Sequence, residues 1–374
     1  MAAVFELLFF DYTVRLVVLG TLILGCVSGA LGCFTVLRKQ SLLGDAIAHA
    51  ALPGIAIAFL LSLSKSPVVL LIGAMVAGWI GTGFFALVTS YTKLKKDAVL
   101  GIILSVFFGF GLVILTFIQR LPTANKSGLH TFLFGNASTL IETDLMVMSC
   151  IGVFVLGITF LLYKEFKLIS FDPEFAQVLG FPFKRLDLAL TGIIVLAIVI
   201  GLQTVGVVLM SAMVIAPAAA ARQWTDRLSV MLGLSAVFGA VSGLIGSLIS
   251  AFVARMPTGP VIVLVISVIV VISLLFSPNR GLLWAAFRRY VNRKNIHADI
   301  LLNNLYLLSQ SHQDPCHAHD LAALEAVGRR GLDRSIHALH QKKWVYSPKK
   351  QFWGLTKEGL KHAKRMQQSR AVEP

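Results

Sequence analysis

Charge is scarce in this chain: of 374 residues only 14% are Asp, Glu, Lys or Arg, while 56% are hydrophobic and the mean hydropathy is +0.81. Soluble domains carry about 25% charged residues, so an ordinary soluble fold is excluded. Acidic groups are the scarcest, 18 against 33 Lys and Arg. Cysteine is also rare. Cys26, Cys33, Cys150 and Cys316 do not form the framework of a stapled secreted domain, and the first three sit in apolar stretches, where a thiol packs as a small hydrophobe. No GxxxxGK[ST] loop is present to cradle nucleotide phosphates. Nothing resembles a Ser/His/Asp triad or a paired-carboxylate active site, so the reading is a non-enzyme with no permanent cofactor. Met1–Asp11 has no basic n-region and the apolar run after it is too long for a cleavable signal, so that run is expected to be a permanent span.

What the chain has instead is long apolar runs. A helix needs about 20 apolar residues to cross about 30 Å of hydrocarbon. Runs of that kind number about nine: 13–37, 41–61, 67–90, 98–118, 145–162, 187–202, 205–221, 228–252 and 260–277. Only Gln203 and Thr204 separate the sixth from the seventh, which demands a tight turn or a broken helix there. Alternate loops hold eleven and four Lys or Arg, and the richer set belongs in the cytoplasm. An odd number of spans then puts the N-terminus outside and the C-terminus inside. Gly20, Gly25, Gly29 and Gly32, with Gly239, Gly243 and Gly246, are spaced for close helix approach, and general tight packing explains them better than a dimer seam.

Asp45 is the one carboxylate of residues 1–279 that falls inside a run, and His49 is the one histidine that does. Four residues apart, they share a helix face. A carboxylate at a span centre costs at least about 2.5–3.5 kcal/mol on insertion scales, which makes such a group functional by default. Oxygen plus imidazole nitrogen suits Zn²⁺, Mn²⁺ or Fe²⁺. The alternative is a structural hydrogen-bonded pair near the helix start. Pro53 frees a carbonyl one turn back, around His49, and irregular backbone at that depth needs protein or a wet cavity beside it.

The run Ser41-Leu42-Leu43-Gly44-Asp45-Ala46-Ile47-Ala48-His49-Ala50-Ala51-Leu52-Pro53-Gly54 resembles the second-helix signature of the membrane permeases of ATP-binding-cassette importers for manganese, zinc and iron. Further blocks continue the resemblance in family order: Leu100–Ile103, Phe132–Asn136, Phe171–Ala176, Gln203–Val207, Ile215–Ala219 and Ser277–Leu282. It implies an all-α polytopic fold of the type II importer kind, with a transmembrane permease domain over 1–282. It implies that Asp45 and His49 serve a metal pathway, with Gln203, Thr204 and Ser211 as candidate lining groups. A cytoplasmic ATPase, an extracytoplasmic metal-binding protein and a second permease copy or a related permease are the implied partners, in a bacterial inner membrane.

The loop 163–185 contains a short helix by its own signals. Asp172 is a good N-cap, Pro173 fits the first position and Glu174 the first turn. Gly180 is a stop, reinforced by Phe181-Pro182. Phe175, Val178 and Leu179 make one apolar stripe around Ala176. So short a helix must pack on something, either the chain's own surface or a groove on a partner. The resemblance implies the second: Asp172–Gly180 would be the coupling helix that seats in the ATPase.

The last quarter is basic: residues 1–279 carry net +5 and residues 280–374 net +10. A membrane-proximal linker helix is expected over 283–297, where Lys and Arg can meet anionic headgroups. Residues 298–374 read as three helices, a hairpin around Ser347–Lys350 and a closing helix over Thr356–Lys361, similar to the winged helix of iron-dependent repressors. A domain tethered to nine spans reaches chromosomal DNA poorly, so the reading favours regulation or protein docking over DNA binding. His312, Asp314, Cys316, His317 and His319 crowd eight residues; they are candidate ligands of a metal sensor, and a polar loop explains them as well. Two other classes stay open: a membrane-anchored metal-responsive regulator, and a secondary transporter using Asp45 as a proton relay.

Overall fold

The structure is a computed structural model that describes residues 11–63, 66–120, 135, 140–253, 256–310, 317–320, 332–349 and 352–372. It divides into two compact units, Met1–Gly281 and Leu282–Pro374.

The first unit is helical: α1 (Tyr12–Leu37), α2 (Leu43–Ser62), α3 (Pro67–Tyr91), α4 (Lys96–Arg120), α5 (Glu142–Leu161), α6 (Tyr163–Phe171), α7 (Pro173–Val178), α8 (Phe183–Thr204), α9 (Val207–Trp224), α10 (Leu228–Phe252) and α11 (Thr258–Phe276). Eight of these, all but α6, α7 and α9, are long and apolar enough to cross a membrane. The expected seventh run forms α9, of 18 residues, separated from α8 by Gly206 at φ 89°. That positive φ supplies the break which Gln203 and Thr204 demanded. Helices α1, α2, α8 and α9 form the buried centre, including Leu31, Phe34, Ile47, Leu52, Val195 and Met210. Around them α3, α4, α5, α10 and α11 present Ile72, Phe84, Val113, Phe154, Val237 and Val268 outward, the belt that a bilayer would cover.

The glycines are spent inside the chain. A Cβ on Gly239 of α10 would lie 2.0 Å from the Gly25 carbonyl oxygen of α1, and one on Gly29 would lie 2.4 Å from that of Ser235. The same close approach lets Ser235 Oγ donate to the Gly29 carbonyl at 2.6 Å. General packing is therefore what these spacings encode. Gly239→Val is expected to wedge α1 from α10 and cost at least about 1–3 kcal/mol, the range for overpacking. A thermal-melt comparison in detergent measures that loss.

At one corner, the Ser277–Arg280 block ties the end of α11 to the α9–α10 turn. Ser277 Oγ donates to the Gln223 carbonyl, Asn279 Nδ2 to that of Trp224 at 2.9 Å, and Arg280 pairs with Asp226 at 2.7 Å.

The second unit begins with α12 (Leu282–Gln310), one continuous helix where the sequence suggested a linker helix followed by a separate one. A three-stranded antiparallel sheet follows, order β1-β3-β2, from β1 (His319–Asp320), β2 (Val345–Tyr346) and β3 (Phe352–Leu355). Helices α13 (Leu332–Gln341) and α14 (Lys357–Val372) complete it around Leu302, Leu305, Leu339, Val345 and Leu355. The hairpin and closing helix stand where expected, and β1 is an addition. The expected helix over 320–328 lies almost wholly outside the described residues.

Candidate functional site

Asp45 sits in the first turn of α2, where the exposed N–H groups favour a carboxylate, and His49 stands one turn further on. His49 Nε2 is 3.4 Å from Asp45 Oδ1, with the side chains 12% and 28% exposed respectively. That separation is long for a hydrogen bond. Two ligand atoms each about 2.0–2.2 Å from a tetrahedral ion lie about 3.3–3.6 Å apart, so the pair is spaced for a shared cation. His49 Nδ1 is buried with no hydrogen-bond partner, and Phe108 of α4 meets the imidazole edge-on at 4.6 Å between centroids.

One turn beyond, α2 continues through Pro53 as helix. Gly111 of α4 packs against this turn so closely that a Cβ there would lie 2.9 Å from the proline nitrogen. The apolar cleft starting at Pro53, about 660 Å³ between α2, α3 and α4, has Ser62 as its one hydroxyl lining residue and offers nothing to an ion. Among the described residues no group of three or more His, Cys, Asp or Glu converges as a metal shell would require. The ligand set from this chain is the pair alone.

The candidate lining groups fare differently. Ser211 of α9 crosses α2 beside Gly44, whose added Cβ would lie 3.8 Å from the Ser211 Cα, so it is brought to the turn that carries Asp45. Thr204 is fully buried and its hydroxyl donates to the Gly201 carbonyl of its own helix at 3.0 Å. The Gln203 side chain lies outside the described residues, as do His312 and Cys316. His317 and His319 face each other with ring centroids 5.5 Å apart, without a third ligand among the described residues.

The docking segment is built as its residues dictate. Asp172 caps α7 by accepting from Phe175 N at 3.0 Å, with Pro173 and Glu174 in the first turn. Gly180, at φ 81°, donates to Gln177 O at 3.0 Å while Phe181 N donates to Ala176 O at 3.1 Å, the paired bonds of a glycine-closed helix end. Ala176 alone is buried. Phe175, Val178 and Leu179 are 50%, 84% and 54% exposed, an apolar face that the chain itself does not cover.

One ion pair escaped the sequence reading. Arg38, at the end of α1, pairs with Asp187 in the second turn of α8. Arg38 had counted only as one of the loop cations.

Comparison with known proteins agrees with this arrangement. The sequence profile of the ABC 3 transport family matches residues 10–277. The zinc transport system membrane protein TroC of Treponema pallidum is 49% identical over 282 residues, 75% of this chain and 95% of that protein. The manganese transport system membrane protein MntC of Bacillus subtilis is 41% identical over 342 residues, 89% of this chain and 79% of its own. A match of that length extends into the second unit. Among solved structures, PsaBC from Streptococcus pneumoniae in complex with Fab superposes with a TM-score of 0.66 at 30% identity, covering 75% of this chain and 97% of that one.

Proposed function

The chain belongs to the ABC 3 transport family, and from that premise we propose that it is the permease subunit of an ATP-binding-cassette importer that carries manganese, zinc or iron into the cytoplasm. The single observation that carries the site is the 3.4 Å separation of Asp45 and His49 on the buried helix α2. Two ligands hold a dication weakly enough to release it, as conduction requires. Oxygen with nitrogen admits all three metals. The half-filled shell leaves room for water or for the matching pair of a second permease, identical or related, around one pathway.

The chain hydrolyses nothing itself. A separate cytoplasmic ATPase seats on the uncovered face of α7, and nucleotide-driven movement of that segment exposes the pair to alternate sides. An extracytoplasmic metal-binding protein delivers the ion. With α9 counted as a pass, the odd number of crossings places the N-terminus outside and the basic second unit in the cytoplasm, in line with the loop cations. That unit, read as winged-helix-like, serves regulation or protein docking.

The test is metal-specific, ATP-driven uptake in vesicles that contain the ATPase, comparing the full chain with one ending at Arg288. Uptake in the shortened chain is expected to stay within about twofold of the full chain, since packing and site lie in residues 11–281 and additivity holds between distant parts. Loss of all uptake on truncation would instead favour a membrane-anchored regulator whose second unit is the output.

A further inference from the structure

Arg38 and Glu165 each keep a buried polar atom without a hydrogen-bond partner: Nη1 of the guanidinium and Oε2 of the carboxylate. Buried groups of this kind are rare and costly, and each calls for an explanation. The two atoms are complementary, donor and acceptor, positive and negative. They also belong to one layer of the first unit. Phe34, one turn before Arg38 on α1, meets Phe166, the neighbour of Glu165 on α6, at 6.0 Å between ring centroids. The other guanidinium nitrogen, Nη2, is engaged by Asp187.

The placement along the chain gives this a direction. Glu165 lies on α6, just before α7, and Asp187 lies on α8, just after it. The two carboxylates therefore flank the exposed docking face, and Arg38 stands between α1 and both. Beyond Arg38 the chain turns tightly into α2, with Gln40 N on Thr35 O at 2.9 Å and Leu43 N on Gln40 O at 3.0 Å. A shift at the end of α1 is thus passed to the first turn of α2, which holds Asp45.

We infer that Arg38 is a half-closed clamp: in a second state its Nη1 takes Oε2 of Glu165 while Nη2 keeps Asp187, tying both ends of the docking segment to the helix pair that carries Asp45 and His49. A planar guanidinium can hold two carboxylates in fixed directions; an ammonium, a point charge with no fork, cannot fix both. Arg38 is on this account a positioning residue, and its link to transport rests on the function proposed above.

The experiment uses the full chain with its ATPase in lipid vesicles, spin-labelled at exposed Leu42→Cys and Lys164→Cys to read the distance from the α1–α2 corner to α6. In the parent protein the distance is expected to shorten by about 1–2 Å or more, a typical helix shift, when nucleotide is trapped. Glu165→Gln and Arg38→Lys, each still co-purifying with the ATPase, are expected to abolish that shortening and to lower manganese moved per ATP at least about tenfold. Shortening of equal size in both variants, no shortening in the parent, or unchanged manganese per ATP in both variants would each overturn the clamp. Absence of ATP-driven uptake in the parent would overturn the proposed function instead, while the distance measurement still judges the clamp.

Discussion

Asp45→Asn is expected to abolish metal uptake while leaving the protein folded and bound to its ATPase. The substitution keeps the shape of the side chain and removes its charge. At an effective dielectric of about 20, one unit-charge pair at about 4 Å is worth about 4 kcal/mol, and a dication gains more. Removing that attraction lowers uptake at least about a hundredfold, by the usual conversion of about 1.4 kcal/mol per decade. His49→Ala takes away the nitrogen donor and its contact with Phe108, and should match the loss. Neither side chain bonds α2 to a neighbouring helix in any interaction described, so assembly has no reason to suffer. Radiolabelled manganese and zinc uptake, beside co-purification of the ATPase, separates the two properties. Full uptake in both variants would reduce the pair to scaffolding.

Phe175→Asp should have an effect of the same order by a different route. Phe175, Val178 and Leu179 stand uncovered on a helix of six residues that is held to the unit through buried Ala176. Full burial of one such side chain contributes about 1.5–3 kcal/mol, so the stripe suits a hydrophobic groove. A carboxylate at its centre loses that contribution and adds the cost of burying a charge, enough to weaken binding of the ATPase at least about a hundredfold. The variant should fail to retain the ATPase on a column, whereas Phe175→Leu should retain it. The Asp45–His49 site, on another helix, is untouched, so metal binding should persist. Retention of the ATPase by the Asp variant would mean that the stripe meets no partner.

These two sites were legible in the sequence for the same reason: each is local. Asp45 and His49 are related by one helical turn, and Asp172, Pro173 and Gly180 are start and stop signals within nine residues. Apolar runs likewise fix spans, because a bilayer has one thickness. What the sequence withheld is long-range or very short. Arg38 and Asp187 are 149 positions apart, and nothing local to either announces the other. Phe108 is one apolar residue among many on α4 until the fold sets it against His49. Strand β1 has two residues, too few for any alternation to register. Thr204 was a polar residue at a helix break, yet its hydroxyl turns back on its own backbone, a choice that composition cannot reveal.

The most direct measurement is pulsed electron paramagnetic resonance of Mn²⁺ added to the purified permease in lipid. Coordination by His49 predicts a nitrogen coupling from a directly bound imidazole in the parent protein, lost in His49→Ala and weakened along with manganese occupancy in Asp45→Asn. Bound Mn²⁺ with the same nitrogen coupling in His49→Ala, or a parent spectrum of oxygen ligands alone, would contradict the account.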